Sequence, residues 1–258
     1  MKKYFVYSFI FLISLIFFIF IYLSTAGYET NKLNNLVNIE AKKIDSNLNI
    51  DLKKILIKID PKNFNLYFKT SNPQIIYQKI DVPVGEIKTY IKLIPLIKTH
   101  LVIEKVLIET KVISADQFKN FVRNSKPSNF KNFILNNLQN GIIKFDLELK
   151  LSKDLKLVKY FVKGYGSDIK INILKDKYIE NLDFNYEIKK NSGLIKIVNG
   201  KADGIDIKNS KINYEIKDDY KISAKIQTLT NLRNKEITEY FPNNNIKEYL
   251  KNNQIYLK

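Results

Sequence analysis

From Asn47 onward the chain alternates between apolar and polar positions with a period of two, the signature of strands with one wet face. In "GIIKFDLELKLS" Ile143, Phe145, Leu147, Leu149 and Leu151 oppose Lys144, Asp146, Glu148, Lys150 and Ser152. "NLDFNYEIKK" sets Leu182, Phe184, Tyr186 and Ile188 against Asp183, Asn185, Glu187 and Lys189. "DIKINILKD", "GIDIKNS" and "SKINYEIKDDYKISAKIQTL" repeat the pattern at Ile169/Ile171/Ile173, Ile205/Ile207, Ile212/Tyr214/Ile216 and Tyr220/Ile222/Ala224/Ile226, with Asp218-Asp219 as a turn. Upstream, "KILIKIDPKNFNLYFKTSNP" predicts a hairpin, with Ile55, Ile57, Ile59, Phe64, Leu66 and Phe68 on one face and Asp60–Asn63 turning. "KGYGSD" (163–168) reads as a glycine turn between strands, because no helix follows to make it a phosphate loop.

Helical patterns are few. Asn31–Lys43 reads as a helix leaving the membrane, and Pro83–Leu96 carries apolar residues three and four apart at Val84, Ile87, Tyr90, Ile91 and Ile94. Pro95 is expected to end that helix. Ser114–Asn124 opens on a serine cap with Asp116 in its first turn. Lys126–Asn140 places Phe130, Phe133, Ile134 and Leu138 on one side and stops at Gly141. The last stretch, from Asn234, reads as helix-forming turns and a closing strand at Ile255–Leu257 with an open edge, suggesting a truncated chain.

One earlier segment breaks the alternation. Tyr4–Leu23 is uncharged, with only Ser8 and Ser14 polar among aliphatic and aromatic residues. Twenty residues at about 1.5 Å each match a bilayer's hydrocarbon thickness of about 30 Å. That length favours an anchor; Ser24-Thr25-Ala26 leaves a cleaved signal as the alternative. Lys2 and Lys3 favour a cytoplasmic N-terminus, with the bulk of the chain across the membrane.

Charge changes this picture little. The formal charge is +17, yet arginine occurs only at 123 and 233, and the lysines alternate with apolar residues instead of forming a block. Base-reading proteins rely on arginine forks, so these lysines read as the solvated faces of strands, with no nucleic-acid partner. The chain has no cysteine and one histidine, His100, without a companion ligand. Nothing gives two carboxylates a shared pocket. No enzyme, metal or cofactor is expected.

A sheet with an apolar face must cover it. Either two strand layers close as a sandwich, or a curved half-pipe shelters acyl chains; periodicity leaves both open. The order of segments bears on this choice. After the anchor come "DPKNFNLYFK", "DVPVGEIKTYIKLIPLIK", "THLVIEKVLIETKVIS" and "ADQFKNFVR". This resembles the N-terminal region of the AsmA-like family of envelope proteins, whose "L-x-P-L-L" segment matches Leu93-Ile94-Pro95-Leu96-Ile97. Ile103, Val106, Leu107 and Ile108 match the strand element that follows, and the later glycine- and asparagine-punctuated strands look closest to the YhdP-like branch.

The resemblance implies a mainly β fold with a few short helices, a transmembrane helix and a curved antiparallel β-groove (half-pipe). It divides the chain into an anchor (1–27), a membrane-proximal groove region (28–140), a strand-repeat groove (141–229) and a C-terminal segment (230–258). It implies inner-membrane anchoring, a periplasmic body and phospholipid as the partner, carried towards the outer membrane. The groove lining would be Ile91, Ile94, Ile143, Phe145, Leu147, Leu149, Ile169, Ile171, Phe184, Tyr186, Ile212 and Tyr214. About ten strands at 4.8 Å spacing add only about 50 Å. That is too short to bridge two membranes, which points to a split or truncated member, to an envelope protein that extends the groove, or to action at the inner membrane alone. The competing expectation is an envelope scaffold with a packed sandwich that binds proteins along a strand edge.

Overall fold

The computed structural model describes residues 2–98, 100, 102–152, 156–174, 177–216, 220–228, 248–251 and 254–257. It is mainly β, with one large antiparallel sheet that does not close on itself. The chain divides into two units, Met1–Glu109 with Glu148–Val158, and Thr110–Leu147 with Lys159–Lys258.

The first unit begins with α1 (Lys2–Thr25), a helix long and apolar enough to cross a membrane. Its side chains stay exposed until the last turn, where the Lys58 ammonium donates to the Thr25 carbonyl at 2.6 Å. A cation there satisfies one of the carbonyls that a helix end leaves unpaired. Gly27, at φ +79°, then turns the chain into β1 (Tyr28–Thr30). β1 pairs antiparallel with β3 (Ile55–Asp60), which pairs with β4 (Asn65–Ser71), and β4 with β7 (Val84–Lys92). β8 (Ile103–Thr110) follows β7 in the sheet. A small sheet of β2 (Leu48–Asp51), β5 (Gln74–Tyr77) and β6 (Ile80–Val82) sits with α2 (Asn34–Ile44).

Three expectations change in this unit. Phe64 lies outside the hairpin's apolar face, in a turn at φ +51°, so the register pairs Ile57 with Phe68 and Ile59 with Leu66. Residues 84–92 form a strand, not a helix, because pairing with β4 outweighs their helical spacing. What remains helical is α3 (Leu93–Ile97), with Pro95 inside its first turn. A proline is tolerated there since its missing N–H would have had no partner.

The second unit holds β9 (Ile113–Ser114), α4 (Ala115–Arg123), α5 (Asn129–Asn137), β10 (Leu138–Leu151) and β11 (Leu157–Leu174). β12 (Lys177–Lys189), β13 (Ser192–Ala202), β14 (Ile205–Ile216), β15 (Tyr220–Thr228), β16 (Glu248–Lys251) and β17 (Gln254–Leu257) complete it. The α4 cap is as expected and more complete: Gln117 N–H donates to the Ser114 hydroxyl oxygen while Ser114 N–H donates to the Gln117 side chain. Two helix-start donors are thereby satisfied reciprocally. Ser128 caps α5 through one bond, its hydroxyl oxygen accepting from Lys131 N–H.

The strand order is β10-β11-β12-β13-β14-β15-β17-β16, with β9 beside β10. The closing strand β17 is therefore flanked by β15 and β16 and is not the outer one. Glu248–Lys251, expected among helical turns, is strand; Asn234–Lys247 and the Asp218-Asp219 turn lie outside the described residues. Gly141 does not stop α5. It sits inside β10 at φ +112°, where a Cβ would meet the Asp168 carbonyl and Ile169 Cα at 2.7 Å.

A crease crosses this unit's strands at one level. Asp168, Asn181 and Asn209 all have φ near +50°, a conformation that Asn and Asp tolerate better than most residues. The register shifts beside them in β11, β12 and β14. The Asp183 carboxylate pins the crease, accepting from the Ser167 hydroxyl (2.6 Å), Asp168 N–H (2.9 Å) and the Asn199 amide (2.9 Å). In β14 the fully buried Ser210 hydroxyl accepts from Gln227 N–H at 2.8 Å. These polar side chains replace ladder bonds lost at the bulges.

Candidate functional site: an apolar strand face

Register places the second unit's apolar side chains in cross-strand rungs, since directly paired residues point to the same face. Gly166, Phe184, Ile197 and Ser210 form the first rung above the crease. Gly164, Tyr186, Ile195, Ile212 and Ala224 form the second. Val162, Ile188, Gly193, Tyr214 and Ile222 form the third.

Coverage falls along these rungs. From the first rung down through the crease, Ile143, Ile169, Leu182, Ile197 and Ile207 share one buried core with Val122 of α4 and Ile134 of α5. The amphipathic helix pair plugs this end of the face, with Phe118 and Leu135 packed against the same core. Ile195 and Ile212 of the second rung touch the core's margin. The third rung lies outside it, and Ile222 is 63% exposed.

Glycines let aromatic rings lie across this face. At Gly166 a Cβ would stand 2.6 Å from the Phe184 ring, and at Gly164 it would stand 2.7 Å from the Tyr186 hydroxyl. At Gly193 it would collide with the Tyr214 ring. In each pair the ring belongs to the register partner on the neighbouring strand. A ring over a glycine covers backbone that would otherwise be wet, and it lies along the sheet instead of standing up from it. Phe184 and Tyr186 also pack on each other, with centroids 6.0 Å apart. The Tyr186 hydroxyl donates to the Lys144 carbonyl at 3.3 Å, and burial pushes its pKa far above the usual phenol range.

The opposite face of the same strands is polar. Two shallow recesses lie among these strands and share Glu187 and Leu194, one adding Asp146, Lys163 and Tyr186 and the other Lys189, Asn213 and Tyr214. Lysines on this side are spread among acidic partners, as at Lys144–Asp146 (3.9 Å) and Lys170–Glu180 (3.8 Å). Among the described residues, no group of His, Asp or Glu is placed to hold a metal ion.

Nine of the twelve expected lining residues belong to this unit. Ile143, Ile169 and Ile171 lie in or against the buried core, with Ile169 only 2% exposed. Phe145, Phe184 and Ile212 pack at its margin. Leu147, Tyr186 and Tyr214 are half-buried beyond it. The other three fall in the first unit: Leu149 is half-buried on the last part of β10, and Ile91 is buried opposite Leu66. Ile94, on α3, is 60% exposed. Val162, Ile188, Ile195 and Ile222 complete the rungs and were not among the expected set. The alternation read from the sequence held Ile188 and Ile222 but not Val162 and Ile195, and membership of a rung depends on register.

Asp183, expected only as a polar-face residue, organises the crease. Its hydrogen bond from Ser167, reinforced by Asp168 N–H and Asn199, holds its carboxyl below the ordinary carboxylate value. A depressed folded-state value contributes stability that is present above the ordinary carboxylate range and lost as pH falls through the folded value. Asp183→Ala is expected to cost about 2 kcal/mol, since bonds to a charged acceptor contribute about 1.5–3 kcal/mol. Urea unfolding at neutral and acidic pH checks this: the difference between variant and parent should shrink on acidification, and a constant difference contradicts it.

Comparison with known protein families, with curated proteins and with solved structures finds no match for this chain.

Proposed function

We propose that this chain is a membrane-anchored, non-catalytic lipid-binding protein of AsmA-like type, in which phospholipid tails rest on the apolar strand face of the second unit. One observation carries the reading: the face stays apolar past the point where α4 and α5 stop filling it, through Val162, Ile188, Tyr214 and Ile222. Five strands about 4.8 Å apart make the third rung a strip roughly 19 Å long. That exceeds half of a bilayer core of about 30 Å, so one acyl chain has room along it. Each methylene removed from water there contributes about 0.8 kcal/mol, while the headgroup stays among the lysines of the polar margin.

In this reading α1 anchors the chain in the inner membrane and the strand units form a curved, half-pipe groove in the periplasm. The chain then supports phospholipid movement towards the outer membrane, with a further envelope protein extending the path. The order of the "LIPLI" segment, the "IEKVLI" strand and the later glycine- and asparagine-punctuated strands supports the family assignment. Bare hydrocarbon-facing strands supported by a spanning helix are the arrangement that lipid handling needs. Native mass spectrometry of the detergent-extracted full chain tests the proposal. Bound phospholipid is the expected result. Lipid-free protein that captures a protein partner instead supports the anchored-scaffold reading and overturns the lipid role.

A further inference from the structure

A second apolar feature lies in the first unit, at the end of the sheet from which α1 departs. β1 runs from its pairing with Ile57 to its pairing with Ile55, so the chain enters the sheet from the Asp60 side. The Lys58 bond to the Thr25 carbonyl fixes the last turn of α1 there. The rest of α1 is not folded back on the protein, since Leu12, Ile16 and Ile19 are at least half exposed. The β3–β4 turn and α3 occupy this same end: Leu93 N–H donates to the Phe64 carbonyl at 3.1 Å, and Phe64, Ile94 and Pro95 line one recess.

Three large apolar side chains stand out from this tip: Phe64 is 58% exposed, Ile94 60% and Ile97 77%. The geometry holds them out deliberately. Phe64 has φ +51° in a turn tied by Asp60, whose carboxylate accepts from Lys62 N–H (3.0 Å) and the Asn63 amide (2.7 Å). Pro95 stiffens the single helical turn that carries Ile94 and Ile97. Lys92 lines the same recess, and Lys62 and Lys98, next to the β3–β4 turn and α3 in the chain, are exposed with it. The nearby carboxylates are engaged within the fold, Asp60 in its turn and Glu104 accepting from the Asn65 amide at 2.6 Å.

We infer that this tip is a second membrane contact: Phe64, Ile94 and Ile97 insert into the interfacial layer of the bilayer that α1 spans, and Lys62, Lys92 and Lys98 rest on its anionic headgroups. Tethering decides the occupant. A patch fixed beside the exit of a spanning helix meets the bilayer surface at very high local concentration, before any soluble partner. Apolar side chains ringed by lysine are the chemistry that an anionic interface takes up. The contact would fix the first unit's orientation on the membrane, which a single helix leaves free to swivel. It rests on α1 being a membrane span and does not require lipid on the strand face of the second unit.

The absence of tryptophan and cysteine makes the test direct. Full-length chains carrying Ile97→Trp, Phe64→Trp or Ile39→Trp are reconstituted into vesicles of brominated phosphatidylcholine with phosphatidylglycerol. Ile39, on α2, is 55% exposed and lies away from the tip, so it is the control. Positions 97 and 64 are expected to give blue-shifted emission that the bromines quench, while position 39 keeps water-like, unquenched emission. Water-like emission at both tip positions overturns the inference. Should a tryptophan variant misfold by circular dichroism, a spin label on Lys98→Cys serves instead. Collision with oxygen favoured over a water-soluble nickel complex supports the contact, and the reverse refutes it.

Discussion

Gly164→Ala is expected to unfold the C-terminal unit or to leave it severely destabilised. A Cβ at this position would run into the Lys144 carbonyl oxygen and would stand 2.9 Å from Phe145 Cα, both of them backbone atoms of β10. Backbone in a ladder cannot rotate aside as a side-chain tip does, so the strands themselves must separate. The same Cβ would displace the Tyr186 hydroxyl from its bond to Lys144. Overpacking against fixed atoms plus a lost buried hydrogen bond puts the cost above about 3 kcal/mol. Gly204→Ala is the informative control. Nothing lies within 4 Å of a Cβ there, and only its φ of +88° opposes the change. Backbone strain alone should cost about 1–2 kcal/mol. Thermal unfolding of both variants checks the contrast, and equal midpoints for Gly164→Ala and the parent contradict the packing described here.

The second large effect separates folding from lipid binding. Ile222→Asp places a charge on the third rung at a side chain that is 63% exposed, so the fold should tolerate it with little change in melting temperature. Bound phospholipid should nonetheless fall at least about tenfold. A tenfold loss needs only about 1.4 kcal/mol, less than the burial of two methylenes, and a carboxylate beside hydrocarbon costs more than that. Ile169→Asp shows the opposite balance, because Ile169 is 2% exposed within the plugged core and an aspartate there should abolish folding. Ile91→Asp is likewise a folding variant and carries no information about lipid, since Ile91 is buried between strands of the first unit. Lipid content measured by mass spectrometry beside melting temperature gives both readouts. A stable Ile222→Asp protein with undiminished lipid removes the third rung from the site.

These results show where period-two patterning informs and where it stops. Alternation located β10, β12 and β14 and identified their apolar faces, because side-chain direction in a strand follows directly from position. It failed at "KGYGSD", where glycines that read as a turn lie within an eighteen-residue strand. The glycines serve cross-strand partners, Tyr186 and Phe184, that are distant in sequence and set only by register. Val84–Lys92 misled for a related reason: helical spacing over nine residues is a weak local preference, and pairing with β4 overrides it. The crease had a readable signal in hindsight. Asp168, Asn181 and Asn209 are residues that accept a left-handed backbone, yet each stands amid a strand pattern. The plug was the least legible element. One helix was readable from its serine cap and the other from its apolar side, but their packing onto strands that follow them in sequence is a tertiary fact.

Whether lipid lies on the apolar strand face can be read by scanning the full-length chain with a photoreactive residue, one position at a time, across Ile212–Ile216 and Lys221–Ser223. Crosslinks to phospholipid acyl chains are then read by mass. Labelling is expected at 212, 214, 216 and 222, with little at 213, 215, 221 and 223, because those two sets point to opposite faces of the sheet. Uniform labelling, or none at the first set, would contradict it.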